Sequence, residues 1–231
     1  MRLNLGSGRA QLPTWKTDTE HDPMLAHVAY HLPESAYDKL AGWVNVDAIA
    51  QPGVDKVVDL FSYPWPFADK SVDEIWASHI VEHIPHEAHL ITSVGSVRVD
   101  DKPIGYQSIA PSDELRKCAA SDGFYAWFYE VWRILKPDGL IHIVCPYALG
   151  IAGMSDPQHR RYVTVSTFGY LAPQGADAPF DYQLPFAFEA IADAKLYIIV
   201  GEELTEAQKQ YIMMHEVNRV NEIAITLRAV K

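Results

Sequence analysis

With 231 residues, 48% of them hydrophobic, the chain has material for one full core and little room for two. Its formal net charge of −11, from 30 Asp and Glu against 19 Lys and Arg, counts against nucleic acid as a partner, because that binding rests on cations facing phosphates. No apolar run nears the ~20 residues of a membrane span, and the start lacks the basic and apolar parts of a secretory leader, so a soluble, cytoplasmic protein with no membrane partner is expected. Cys118 and Cys145 stand far apart in apolar surroundings, which suits a reducing compartment and gives no metal pair.

Short apolar runs alternate with helical patterns, as in an α/β protein. Leu3 to Leu5 reads as a short first strand running into Gly6-Ser7-Gly8. Residues 9–42 form a long insertion with helical pieces near Pro23–His31 and Glu34–Leu40. Trp43–Asp47 and Asp55–Leu60 read as the second and third strands, each carrying an acid near its end. Asp69-Lys70-Ser71 is a turn, Val72–Ala77 the fourth strand, and Ser78 to His83 the start of a helix. Val94–Val99 and Ile104–Ser108 flank Asp100-Asp101-Lys102-Pro103, which predicts a β-hairpin inside an insertion at about residues 92–111.

The next helix begins near Ser112, a good N-cap. Phe124, Trp127, Phe128, Val131, Trp132 and Leu135 follow in steps of three and four, one apolar face for the sheet. Lys136-Pro137-Asp138-Gly139 stops that helix, and Leu140–Cys145 is the fifth strand. Residues 147–187 are expected to cover the substrate. The tail holds a strand within Phe188–Val200, a helix near Thr205–His215 and a last strand near Asn221–Val230. The expected architecture is a single Rossmann-like, doubly wound domain over residues 1–231, with a late reversed strand.

In such sheets ligands bind beyond the carboxyl ends of the strands. Gly6-Ser7-Gly8, Asp47, Asp59, Ser78-His79 and Pro146-Tyr147 all fall there. Two glycines so close together mark a tight turn or a close backbone approach. A carboxylate such as Asp47 can accept both hydroxyls of a ribose, since it has two oxygens and no donor. Asp59 can accept from an adenine amino group or merely cap a loop. The third position of a dinucleotide fingerprint is Gln11 rather than glycine, and only Arg9 stands ready to balance a pyrophosphate.

The stretches "LNLGSG", "GWVNVD", "VVDLFSYPWPFADKSVDEIWASHIVEHI" and "FYEVWRILKPDGLIHIVCP" together resemble the class I S-adenosylmethionine-dependent methyltransferases, in register over residues 2–146. That resemblance implies a seven-stranded sheet with a reversed last strand, and S-adenosyl-L-methionine as cofactor. It implies that Gly6, Ser7 and Gly8 pass under the methionine part, Asp47 holds the ribose, Asp59 and Leu60 border the adenine, and Ser78 and His79 line the methyl exit. Asn4 stands where an acid is common in that pattern and is counted with the cofactor residues.

His79-Ile80-Val81-Glu82-His83 also matches H-x-x-E-H, a zinc-peptidase pattern. It follows a strand directly and Pro85 would cut its helix short, so no metal ligands are assigned and Glu82 and His83 are read as structural or solvated. Ser155–Tyr162 contains a "DPxH" segment resembling one in related methyltransferases. His79 and His159 are the candidate general bases, needed only for a hydroxyl or protonated-amine acceptor. Arg160 or Arg161 would bind an anionic group on the substrate. The resulting expectation is methyl transfer to a small-molecule or saccharide acceptor. The alternatives are a non-catalytic nucleoside-binding module and an NAD-dependent oxidoreductase. Oligomeric state has no signal.

Overall fold

The structure, a computed structural model, describes residues 1–7, 43–91, 98–99, 102–103, 110–173, 183–191, 195–198, 205, 207–208, 211 and 220–231. The main sheet is built from β1 (Arg2–Leu5), β2 (Trp43–Asp47), β3 (Lys56–Val57), β5 (Val72–Ser78), β9 (Leu135–Pro146), β10 (Ala187–Ala190), β11 (Lys195–Ile198) and β12 (Val220–Val230). Its order is β10-β12-β9-β5-β1-β2-β3, with β11 also on β12. The ladders from β3 to β9 are parallel, and β12 runs antiparallel to β9. β10 pairs with Leu227–Val230 and β11 with Val220–Ala224, so the two form one interrupted strand. Eight strands thus occupy seven positions, and the last is reversed. This is the Rossmann-like arrangement that the sequence resemblance implies.

The apolar runs form the centre of this sheet because they are buried on both faces. Leu3, Leu5, Val46, Ile75, Ala77, Ile141, Ile143 and Cys145 are all inaccessible or nearly so. Helix α1 (Asp113–Ser121) starts at Ser112, whose Oγ accepts from Leu115 N at 3.1 Å. Helix α2 (Gly123–Ile134) starts at Asp122 in the same way, accepting from Phe124 N at 2.7 Å. The predicted α2 face is buried through Phe124, Trp127, Phe128 and Val131. Trp65 stands edge-on to Trp127 at 5.6 Å, which fastens the loop after β4 (Ser62–Tyr63) to the helix.

A buried ion pair completes that attachment. Glu130 accepts from Arg133 Nε at 2.8 Å and from the Trp65 amide at 2.6 Å. Arg133 donates onward to the carbonyls of Trp65 and Phe67 and to Asp69. Every strong donor and acceptor in this group is therefore matched inside the protein.

Several expected elements differ. β3 is shorter than 55–60, because Asp59 closes a turn by accepting from Phe61 N and Ser62 Oγ. No helix starts at Ser78. His79 has φ 54°, and Pro85 pushes Ile84 out of the helical region, leaving one 3-10 turn at Val81–His83. Lys136–Gly139 ends the helix but also belongs to β9. It is looped out of the ladder, where Val72 faces Leu135 and Glu74 faces Leu140. β7 (Arg98–Val99) pairs antiparallel with β8 (Lys102–Pro103), so a hairpin forms there, but its second strand takes Lys102 and Pro103 from the expected turn, and the expected arm at 104–108 lies outside the described residues. The short parallel pair of β4 and β6 (His89–Leu90) is separate from the main sheet. The helical pieces at 23–31 and 34–40, and most of the one at 205–215, lie outside the described residues. Among the described residues no helix is long and apolar enough to cross a membrane.

Replacing Glu130 with Ala strands the Arg133 charge in the interior. The expected loss is about 3–5 kcal/mol of unfolding free energy in a urea titration. A loss below ~1 kcal/mol would show that the pair contributes little.

Candidate functional site

The register of the parallel ladders sets the site. Leu5 lies beside Val46 on one side and Ala77 on the other. The next residues, Gly6, Asp47 and Ser78, therefore emerge together at one edge of the sheet, the carboxyl edge where ligands of such sheets bind. Ser78 in turn faces Val144, and Pro146 faces Glu222 of the reversed β12. Five segments distant in sequence thus converge there.

Gly6 has φ 61°, a left-handed conformation that suits glycine, and an added Cβ would come within 2.4 Å of Ile80 Cδ1. Ser7 N donates to Val46 O at 3.0 Å, tying the loop to β2. The Ser7 hydroxyl is buried and has no hydrogen-bond partner among the described residues. Asn4 is buried on β1 and donates to Asn45 Oδ1 at 3.0 Å, below the loop. Asp47 is half-buried, and its Oδ1 accepts from Ile49 N at 2.9 Å. Asp59 is exposed and engaged in its own turn, while the Leu60 side chain is buried and its carbonyl accepts from Trp65 Nε1. Gly8 lies outside the described residues.

His79 holds the other end of the edge. Its Nε2 meets Glu222 Oε1 at 3.1 Å and its Nδ1 meets Glu82 Oε1 at 3.4 Å. Both carboxylates are buried. Burial alone would lower the imidazole pKa. The contacts with Glu222 and Glu82 outweigh it and raise the pKa to about 9. At neutral pH His79 is therefore a cation and a donor, which does not suit the expected role of general base.

His159 lies on the neighbouring segment. Its Nδ1 faces Gly153 O at 3.0 Å, and its ring stands edge-on to that of His83 at 4.8 Å. Arg160 N and Arg161 N both donate to Glu82 O, at 2.7 and 3.1 Å. The DPxH segment is thereby fastened to the 3-10 turn. Arg161 donates to Ile84 O, Pro85 O and Asp122, so its guanidinium is structural and does not face a substrate as expected. Donor atoms of Glu82, His83 and His159 lie within 4.8 Å of one another.

Glu82, expected to be structural or solvated, is buried rather than solvated and contacts His79, as does Glu222, which the sequence does not single out. The only sequence signal for Glu222 is an acid within an otherwise apolar and alternating strand, "VNEIAITLRAV".

No family model matches the chain, and no curated protein matches it. Solved structures that it resembles include a SAM-dependent methyltransferase from Archaeoglobus fulgidus, at 15% identity and TM-score 0.46, over 98% of this chain and 85% of that one. Another is YcgJ protein from Bacillus subtilis, at 15% identity and TM-score 0.47, over 100% and 92%. A third is the putative methyltransferase of Haloferax volcanii in complex with the Trm112 methyltransferase activator, at 11% identity and TM-score 0.46, over 100% and 82%. The fold class rests on the strand order and the reversed β12, which the chain shows by itself.

The His79 pairing has a pH signature. A folded pKa above the unfolded value means that the stabilisation is complete below about pH 6.5 and is lost as the pH rises through about 9. The ring is 39% exposed, so water screens the pairs and the loss is on the order of 1 kcal/mol. Urea unfolding of wild type and His79→Gln measures it. Their difference in stability is expected to shrink between those two pH values, and a constant difference would contradict the pairing.

Proposed function

We propose that the chain is an S-adenosylmethionine-dependent methyltransferase acting on a small-molecule or saccharide acceptor. The observation that carries this reading is the shared register of Leu5, Val46 and Ala77, which sets Gly6-Ser7, Asp47 and Ser78-His79 along one edge. The residues suit the cofactor chemically. Asp47 would offer carboxylate oxygen to ribose hydroxyls, and the buried Ser7 hydroxyl has no partner among the described residues. The third fingerprint position is Gln11 rather than glycine, and Asp59 adds an acid after β3, which together favour a nucleoside without phosphates over NAD.

When bound, the cofactor supplies an electrophilic methyl group on a sulfonium. The protein's part is then alignment of the acceptor with the carbon–sulfur bond. Gly6 and Ser7 would form the floor under the cofactor, and Leu60 would border its adenine. His79, held by Glu82 and Glu222, supplies a fixed hydrogen-bond donor beside Ser78. His159 Nδ1 donates to Gly153 O, which holds its ring in place on the neighbouring segment.

Calorimetric titration with S-adenosylhomocysteine tests the reading, with NAD as control. Binding of the former alone is expected. Asp47→Ala should weaken it by roughly tenfold to hundredfold, the loss of charge-assisted hydrogen bonds to the ribose. Binding of NAD alone would overturn the proposal.

A further inference from the structure

We propose that Glu82, His83 and His159 form a binding site for one divalent transition-metal ion, with zinc as the best match. The three donors lie within 4.8 Å of one another. Two imidazoles and one carboxylate are a common protein ligand set for zinc with a further position left open.

Glu82 is the first of two independent observations. Its side chain is 1% exposed, and among the described residues neither carboxylate oxygen has a hydrogen-bond partner closer than His79. The contact from Oε1 to His79 Nδ1 is long, at 3.4 Å. His79, shared with Glu222, meets this buried carboxylate only at that distance, so a second cation beside it would offset more of the cost of burial. The second observation is the orientation of the two imidazoles. His159 Nδ1 faces Gly153 O at 3.0 Å, and His83 Nδ1 faces Gln158 O at 3.4 Å. A carbonyl only accepts, so each Nδ1 carries the proton and each Nε2 keeps its lone pair. Metal-bound histidines are held by this kind of second contact.

The two ligand segments are already joined. The amides of Arg160 and Arg161 clamp the DPxH segment to Glu82 O. Donors around a tetrahedral ion with bonds of ~2.1 Å stand about 3.4 Å apart, so the cluster would close by up to roughly 1.4 Å. His83 is half-buried and its contact with Gln158 is weak, so its ring is the part that moves. Asp156 Oδ2 stands 3.8 Å from His159 Nε2 and is placed to supply a fourth donor. The H-x-x-E-H stretch contributes only Glu82 and His83. His79 is turned toward Glu222 instead, so the arrangement differs from a zinc-peptidase helix.

The site does not depend on the identity of the cofactor, and its test needs no methyl acceptor. The full chain is stripped with EDTA and titrated with zinc chloride in a calorimeter, with magnesium chloride for comparison. One zinc per chain at sub-micromolar affinity is expected, with no comparable magnesium binding. His83→Ala and Glu82→Gln should each weaken zinc binding about a hundredfold or more, while His86→Ala, at an exposed histidine paired with Asp122, leaves it unchanged. Far-UV circular dichroism verifies that each variant is folded, and His83→Ala, at a half-buried position, keeps the test informative if Glu82→Gln does not fold. No zinc binding, equal affinity in His83→Ala and wild type, or a loss confined to His86→Ala would overturn the proposal.

Discussion

The site depends on the four residues of β1. This strand is wedged between β2 and β5, paired in parallel with both, and each of its ladders has a single register. A slip by one residue on either side would turn every side chain of that neighbour to the opposite face. It would also separate Gly6 from Asp47 or from Ser78. Leu3 and Leu5 are wholly buried, and the Asn4–Asn45 bond ties β1 to β2 in the present register. The apolar core thus fixes the depth of the strand, and a polar pair fixes its alignment.

At the other end of the edge the constraint is electrostatic. β12 is reversed, so its first residues, and with them Glu222, reach the edge where the parallel strands end. His79 is the cation between that carboxylate and Glu82. Its positive φ, costly for a side chain with a Cβ, turns the chain sharply after β5, and Glu82 Oε1 comes to 3.4 Å from its Nδ1. A local backbone cost is set against two charge contacts. The same turn makes Glu82 a shared member of two clusters, with His79 on one side and His83 and His159 on the other.

Much of the fold was legible because its signals are local. The apolar runs of β2, β5 and β9 and the three-and-four spacing of α2 depend only on neighbours within a turn or a strand, and Ser112 caps its helix as its chemistry predicts. The candidate positions at strand ends were legible for the same reason, since each strand stops where apolar residues give way to Gly6, Asp47 or Ser78. The shorter β3 and the absent helix after Ser78 had visible causes in Asp59 and Pro85, which outweighed the apolar pattern. What could not be read was pairing across long separations. No spacing rule links His79 to Glu222 or His83 to His159. Arg161 looked available for a substrate because its three acceptors lie far from it in sequence.

A crystal structure of the full chain with S-adenosylhomocysteine decides whether this edge of the sheet is the cofactor site. The ribose hydroxyls are expected on Asp47, the adenine against Leu60 and the amino-acid end over Gly6 and Ser7. A ligand bound elsewhere, or an edge left empty at saturating concentration, would contradict that placement.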